Sequence, residues 1–248
     1  MKDTRLIMGM PITVEIVDLH VENQVLESVF NYFTYIDEKF STYKETSEIM
    51  KINRGEINEN DYSEDMKEIF QLAEKTKIET NNFFNIKKPD GSYDPSGIVK
   101  GWAIQKASDN LKNNGYNNFC LDAGGDIQTS GKNSKGEPWT IGIRNPLNTN
   151  EIIKIINNKN NKGIATSGTY IRGNHIYNPN NKDDILSEVL SLTVIGPNIY
   201  EADRFATAAF AMGKDGIYFI DKLVGFEGYM IDTKGIATMT RGFEEYTQ

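Results

Sequence analysis

Ile12, Val14 and Ile16 alternate with Thr13 and Glu15 over 11–17, the period-two pattern of a strand with one face buried and the other in water. The period then changes. Val21, Val25, Val29, Phe33, Ile36 and Phe40 recur every three or four residues, which predicts a helix over 21–40 carrying one apolar stripe. Ser47 opens a short apolar segment (Ile49, Met50, Ile52) that Asn53-Arg54-Gly55 stops. Ser63 is placed to cap a further helix, in which Met66, Ile69, Phe70 and Ala73 share a face.

The stretch 80–97 is rich in turn signals, Pro89-Asp90-Gly91 and Asp94-Pro95-Ser96-Gly97, with Phe83 and Phe84 among them; it reads as a loop with something to hold. A helix over 98–112 should stop at Gly115. Residues 119–121 read as a strand running into Asp122-Ala123-Gly124-Gly125-Asp126. Further strands are expected at 139–143, 163–165, 190–195, 229–231 and 236–239, and helices at 201–212 and 216–224. The Asn/Lys-rich stretches 145–161 and 178–184 read as solvated loops or hairpin arms. Helices and strands mix without a regular βαβ period, and no linker divides the chain. The expectation is therefore one α+β unit over 1–248, with mixed, largely antiparallel sheets and packed helices.

Charge narrows the partners. With 27 Lys and Arg against 35 Asp and Glu, the net charge of −8 disfavours nucleic acid and anionic lipid. The apolar run near the N-terminus is too short, and too soon broken by Gly9 and Pro11, for a signal-peptide core, and no run approaches the ~20 residues of a membrane span. As written, the chain is expected to be cytoplasmic without membrane insertion, or anchored or exported if a leader has been removed. One cysteine, Cys120, excludes an intrachain disulfide, and two histidines exclude a multi-histidine metal centre. There is no G-x-x-x-x-G-K-[ST], G-x-G-x-x-G or G-x-S-x-G motif.

Four segments could carry chemistry. His175 lies in the polar run Gly173-Asn174-His175-Ile176-Tyr177-Asn178-Pro179 and has the pKa range of a base toward a hydroxyl, though a structural histidine fits as well. Asp203 and Thr207, four apart on an expected helix, put a carboxylate and a hydroxyl on one face. That pair suits Mg²⁺; it equally suits an acidic helix start with a packed threonine. Asp94-Pro95-Ser96-Gly97 leading into Ile98-Val99-Lys100-Gly101-Trp102 offers helix-start N–H groups and a lysine to an anion, or simply a capped helix. The paired glycines 124 and 125 allow a close ligand approach or a tight turn.

Taken together and in order, Met8-Gly9, Phe40-Ser41-Thr42-Tyr43, Gly97 to Ala103, Asp122-Ala123-Gly124-Gly125-Asp126, Ala165-Thr166-Ser167-Gly168, His175-Ile176-Tyr177-Asn178-Pro179 and Ala202-Asp203 with Ala206-Thr207 resemble the ApbE family of FAD:protein FMN transferases. The resemblance implies binding of FAD and Mg²⁺, and transfer of FMN to a Thr or Ser hydroxyl of an acceptor flavoprotein with release of AMP. It places Met8, Tyr43, Phe83, Phe84, Asn85, Asp94, Lys100 and Tyr177 against FAD. Gly97, Asp203 and Thr207 fall at the metal, and His175 at the base.

Several positions depart from the family pattern. Asn85 and Asn178 stand where Asp is usual, Met10 replaces a Thr, the segment between Phe84 and Asp94 is short, and the lipoprotein leader common in the family is not expected in the chain as written. Two other activities fit the same residues: hydrolysis of FAD to FMN and AMP, and FAD binding without catalysis.

Overall fold

The computed structural model describes residues 1–168 and 188–247. The chain begins with two antiparallel strands, β1 (Lys2–Ile7) and β2 (Met10–Ile16), joined by Met8-Gly9. Both turn residues have positive φ, +56° and +71°, as a two-residue hairpin that follows the strand twist requires. β1 was not expected from the sequence. It is an edge strand that alternates only between exposed and half-buried, and Lys2, Asp3, Thr4 and Arg5 give no apolar residue to mark that alternation in the sequence.

Three helices follow: α1 (Asn23–Phe40), α2 (Glu48–Asn53) and α3 (Glu64–Glu79). The buried face of α1 comprises Leu26, Val29, Phe30, Phe33, Ile36 and Phe40, so the expected stripe is present and wider than drawn. Ser47 and Ser63 cap α2 and α3, accepting from the N–H of Met50 and Met66. α4 (Ser96–Asn113) then leads to a hairpin of β3 (Phe119–Ala123) and β4 (Asp126–Ser130). Gly124 and Gly125, at φ +63° and +98°, form the hairpin turn.

A second hairpin, β5 (Trp139–Asn145) and β6 (Asn148–Asn158), occupies much of the Asn/Lys-rich stretch, which is thus a hairpin arm. After β7 (Gly163–Gly168) and β8 (Val189–Gly196) come α5 (Ile199–Ala211), α6 (Gly216–Asp221), β9 (Glu227–Asp232) and β10 (Ala237–Met239). Eight strands form one sheet in the order β1-β2-β3-β4-β7-β8-β9-β10, and every pairing is antiparallel. This is the expected α+β arrangement.

The sheet is covered on both faces. The larger core includes Phe33, Ile36, Ile98, Phe119, Val194 and Phe210, while Ile127, Ile164, Ile195 and Ile231 meet Trp139, Ile141, Ile156 and Phe243 in a second one. Adjacent residues of β7, Ile164 and Ala165, therefore enter different cores, which is why the two apolar positions of that strand are consecutive. α5 lies deepest. Its alanines 202, 206 and 209 are buried, and their small side chains permit close contact with α4 and the sheet. Among the described residues no helix is long and apolar enough to cross a membrane.

Candidate functional site

A cleft of about 1200 Å³ opens between the loop before α4, the β3–β4 turn, strand β5 and helix α5. It exceeds the ~300–1,000 Å³ typical of small-molecule sites. Tyr43, Phe83, Phe84, Asn85, Asp94, Gly97, Lys100, Asp203 and Thr207 all line it. Met8 does not: it sits in the β1–β2 turn and packs on the larger core, while its neighbours Gly9 and Met10 reach the cleft wall. His175 and Tyr177 lie outside the described residues.

The chemistry-bearing part is the contact of α4 with α5. Gly101 N–H donates to Asp203 Oδ2 at 2.7 Å, and Thr207 Oγ1 donates to the Gly97 carbonyl at 3.3 Å. Both bonds need glycine. A Cβ on Gly101 would lie 2.6 Å from Asp203 Cβ and 2.8 Å from the Ile199 carbonyl oxygen; one on Gly97 would lie 2.9 Å from Thr207 Cγ2. The i, i+4 spacing read from the sequence thus presents Asp203 and Thr207 to the glycines one turn apart on α4.

A residue to which the sequence assigned no role completes this cluster. Asp126, at the start of β4 and 1% exposed, accepts from Thr166 N–H at 3.0 Å and lies 2.5 Å from Lys100 Nζ through Oδ2. That approach is an ion pair, and the Asp126 carboxyl also meets the carboxyl of Asp203. Burial pushes the Asp203 carboxyl up to about 8; nearby Lys100 opposes the shift and Asp126 adds to it. Two carboxyl groups face one ammonium in a dry place, which favours the protonated form of Asp203 when no cation is bound. A hard dication is the natural counter-charge there, and the carboxylate, hydroxyl and carbonyl oxygens present are the donors such an ion takes. Among the described residues no three His, Cys, Asp or Glu side chains group as a metal site.

Other expected roles change in detail. Lys100 is committed to Asp126, and at the start of α4 the N–H of Ser96 is taken by Asp94 Oδ1 at 3.1 Å and that of Ile98 by the Pro95 carbonyl. The helix start is therefore largely satisfied by its own neighbours rather than open to an anion. Phe84 is only 3% exposed and lies beside Gly97, so it supports the α4 turn from beneath. Tyr43, 95% exposed at the rim, has a free ring face. Asn85 Oδ1 accepts from Lys87 N–H and shapes the loop. Asp122, raised by burial, also lines the cleft, where the Gly125 N–H donates to it at 2.8 Å.

The model of the ApbE family matches this sequence over residues 8–88 and 86–230. A protein of Vibrio cholerae named FAD:protein FMN transferase is 31% identical over 166 residues, covering 64% of this chain and 48% of that protein. One of the same name from Escherichia coli is 27% identical over 155 residues, covering 59% and 44%. The matched part of the chain thus spans about half the length of these relatives. Among solved structures, the flavin transferase ApbE from Vibrio cholerae superposes with a TM-score of 0.85 at 20% identity, covering 99% of this chain and 98% of that one. The ApbE protein of Thermotoga maritima gives 0.86 at 20% identity, covering 100% and 99%. At this level of identity the superpositions establish the fold.

Proposed function

Because this chain belongs to the ApbE family, matched over most of its length, we propose that it is an FAD:protein FMN transferase that moves FMN from FAD to a Thr or Ser hydroxyl of an acceptor flavoprotein. The observation that carries the reading is the meeting of Gly97, Lys100, Asp203 and Thr207, from segments about a hundred residues apart, in one large cleft. The reading assigns the activity to a single unit spanning 1–248, supported by the fact that these segments lie in separate halves of the chain.

In the reaction the pyrophosphate bond between the FMN and AMP halves breaks, and a bond forms between the FMN phosphorus and the acceptor oxygen. AMP leaves with the bridging oxygen and the electron pair of the broken P–O bond. Asp203 Oδ, Thr207 Oγ1 and the Gly97 carbonyl would hold Mg²⁺, which when bound supplies positive charge to the phosphate oxygens. Lys100, fixed by Asp126, directs its ammonium into the same region and favours the charge that develops on the leaving phosphate. The Gly101 N–H keeps one Asp203 oxygen in place. The acceptor hydroxyl loses its proton to His175, an assignment that rests on the sequence resemblance. Tyr43 at the rim offers a ring face for the flavin or adenine to stack on.

The test is intact mass. Co-expression with candidate acceptor flavoproteins, or incubation with FAD and Mg²⁺, should add one FMN to an acceptor. Release of FMN and AMP at the same rate with and without acceptor would instead assign the cleft to FAD hydrolysis.

A further inference from the structure

Strand β5 meets the cleft in an unusual way. Residues 139–144 line it without a gap. A cavity lying over one face of a strand touches every second residue, because successive side chains point to opposite sides. Contact with six consecutive residues, and with Ile152 alone on β6, is what a cavity running along the strand's edge and onto one face of the hairpin gives. β5 pairs with β6 alone, and among the described residues no backbone hydrogen bond joins its other edge to anything. β6, in contrast, is bridged on its far side through Ile156 to Thr247.

A free edge is an association hazard, and proteins usually blunt one with proline, charge or a bulge. Here those devices sit at the ends. Pro138 and Pro146 flank the strand, Arg144 is its one charged residue, and the register shifts fall at 143–145. Between them the exposed positions are Thr140 and Gly142, which leave the backbone accessible, while Trp139, Ile141 and Ile143 are anchored in the second core. The open stretch is about 20 Å long at ~3.3 Å per residue.

We propose that the edge of β5 binds the acceptor: an extended segment of the acceptor flavoprotein adds to it as a further strand, carrying its hydroxyl to the Lys100, Asp203 and Thr207 end of the cleft. The inference rests on the flavin-transfer reading, which requires a polypeptide substrate in this cavity. It names the chemistry that recognises that substrate. Outward N–H and C=O groups repeat every ~7 Å along such an edge, a spacing matched by another extended backbone and by no part of a dinucleotide. Affinity from backbone pairing tolerates varied acceptor sequences, with selectivity left to side chains that meet Thr140, Gly142 and Arg144.

The experiment is amide-resolved hydrogen exchange on the wild-type protein. It is run with FAD and Mg²⁺, with and without an acceptor that gains FMN in the mass assay but whose target Thr or Ser is replaced by Ala. Exchange should slow at least tenfold at every second amide within 139–144, while the amides paired to β6 stay as they were. Binding of that acceptor without this alternating protection overturns the proposal. So does protection already complete without acceptor, which would assign the edge to residues 169–187 of the chain itself. If no protein gains FMN from the wild-type enzyme, the transfer reading has failed and this inference falls with it.

Discussion

Replacing Gly101 by alanine sets helix propensity against packing. In an exposed helix interior the change would stabilise by about 1 kcal/mol. Here the new methyl would lie 2.6 Å from Asp203 Cβ, 2.8 Å from the Ile199 carbonyl oxygen and 2.9 Å from Asp203 Oδ2. Two of these atoms are fixed by the backbone of α5, so no rotamer change relieves them. Carbon atoms prefer about 3.5–4.0 Å, so the helices must part by something on the order of 1 Å. Overpacking of this kind costs about 1–3 kcal/mol, and the bond from Gly101 N–H to a carboxylate, worth roughly 1.5–3 kcal/mol, is stretched as well. Against the propensity gain the expected net loss is about 2 kcal/mol. For a domain of this size that lowers Tm by roughly 4–8 °C. Catalysis suffers separately, because a displacement near 1 Å can cost about a hundredfold in rate. Thermal unfolding by circular dichroism and the FMN-transfer assay measure the two effects. A G101A protein as stable as wild type, with undiminished transfer, would refute the close-approach argument.

Other substitutions separate the site from the scaffold. Thr207→Val removes the hydroxyl near the Gly97 carbonyl at nearly constant volume; transfer should drop by at least tenfold, with a raised Mg²⁺ requirement measured by titration. Ser63→Ala deletes the α3 cap and its bond to Glu48, which should lower stability by about 1 kcal/mol, with FAD affinity by fluorescence unchanged. The Cys120 thiol, pushed up to about 12 by burial although part of the residue borders the cleft, should resist a thiol-specific disulfide reagent at pH 8 in the native protein. In urea it should react fully. Rapid native labelling would show that the β2–β3 region opens.

What could be read from the sequence followed physical periodicity. The stripe on α1, the alternation in β2 and the Ser63 cap are local signals, and each appears where its spacing puts it. So does the pair Asp203 and Thr207, one turn apart. β4 escaped because Asp126, Gln128 and Thr129 are buried through hydrogen bonds, to Thr166, Ile199 and Asn158 among others, and hydrophobicity does not see that. The Lys100–Asp126 pair escaped for a different reason. Nothing within either segment indicates that a lysine on α4 will meet the first residue of β4; only the sheet order decides it.

The bonds that assemble the site also tie ligand binding to folding. Gly101 and Asp203 are 102 residues apart, and Thr207 and Gly97 are 110 apart. No local unit of the chain holds both halves of the α4–α5 contact, so a partly folded chain has no site to offer. A ligand held there acts on the global equilibrium. At a free concentration of about one hundred times Kd it adds roughly 2.7 kcal/mol to the stability of the whole fold. If the ligand is FAD, as proposed above, flavin availability becomes a determinant of how long the protein survives in a cell, apart from how fast it works.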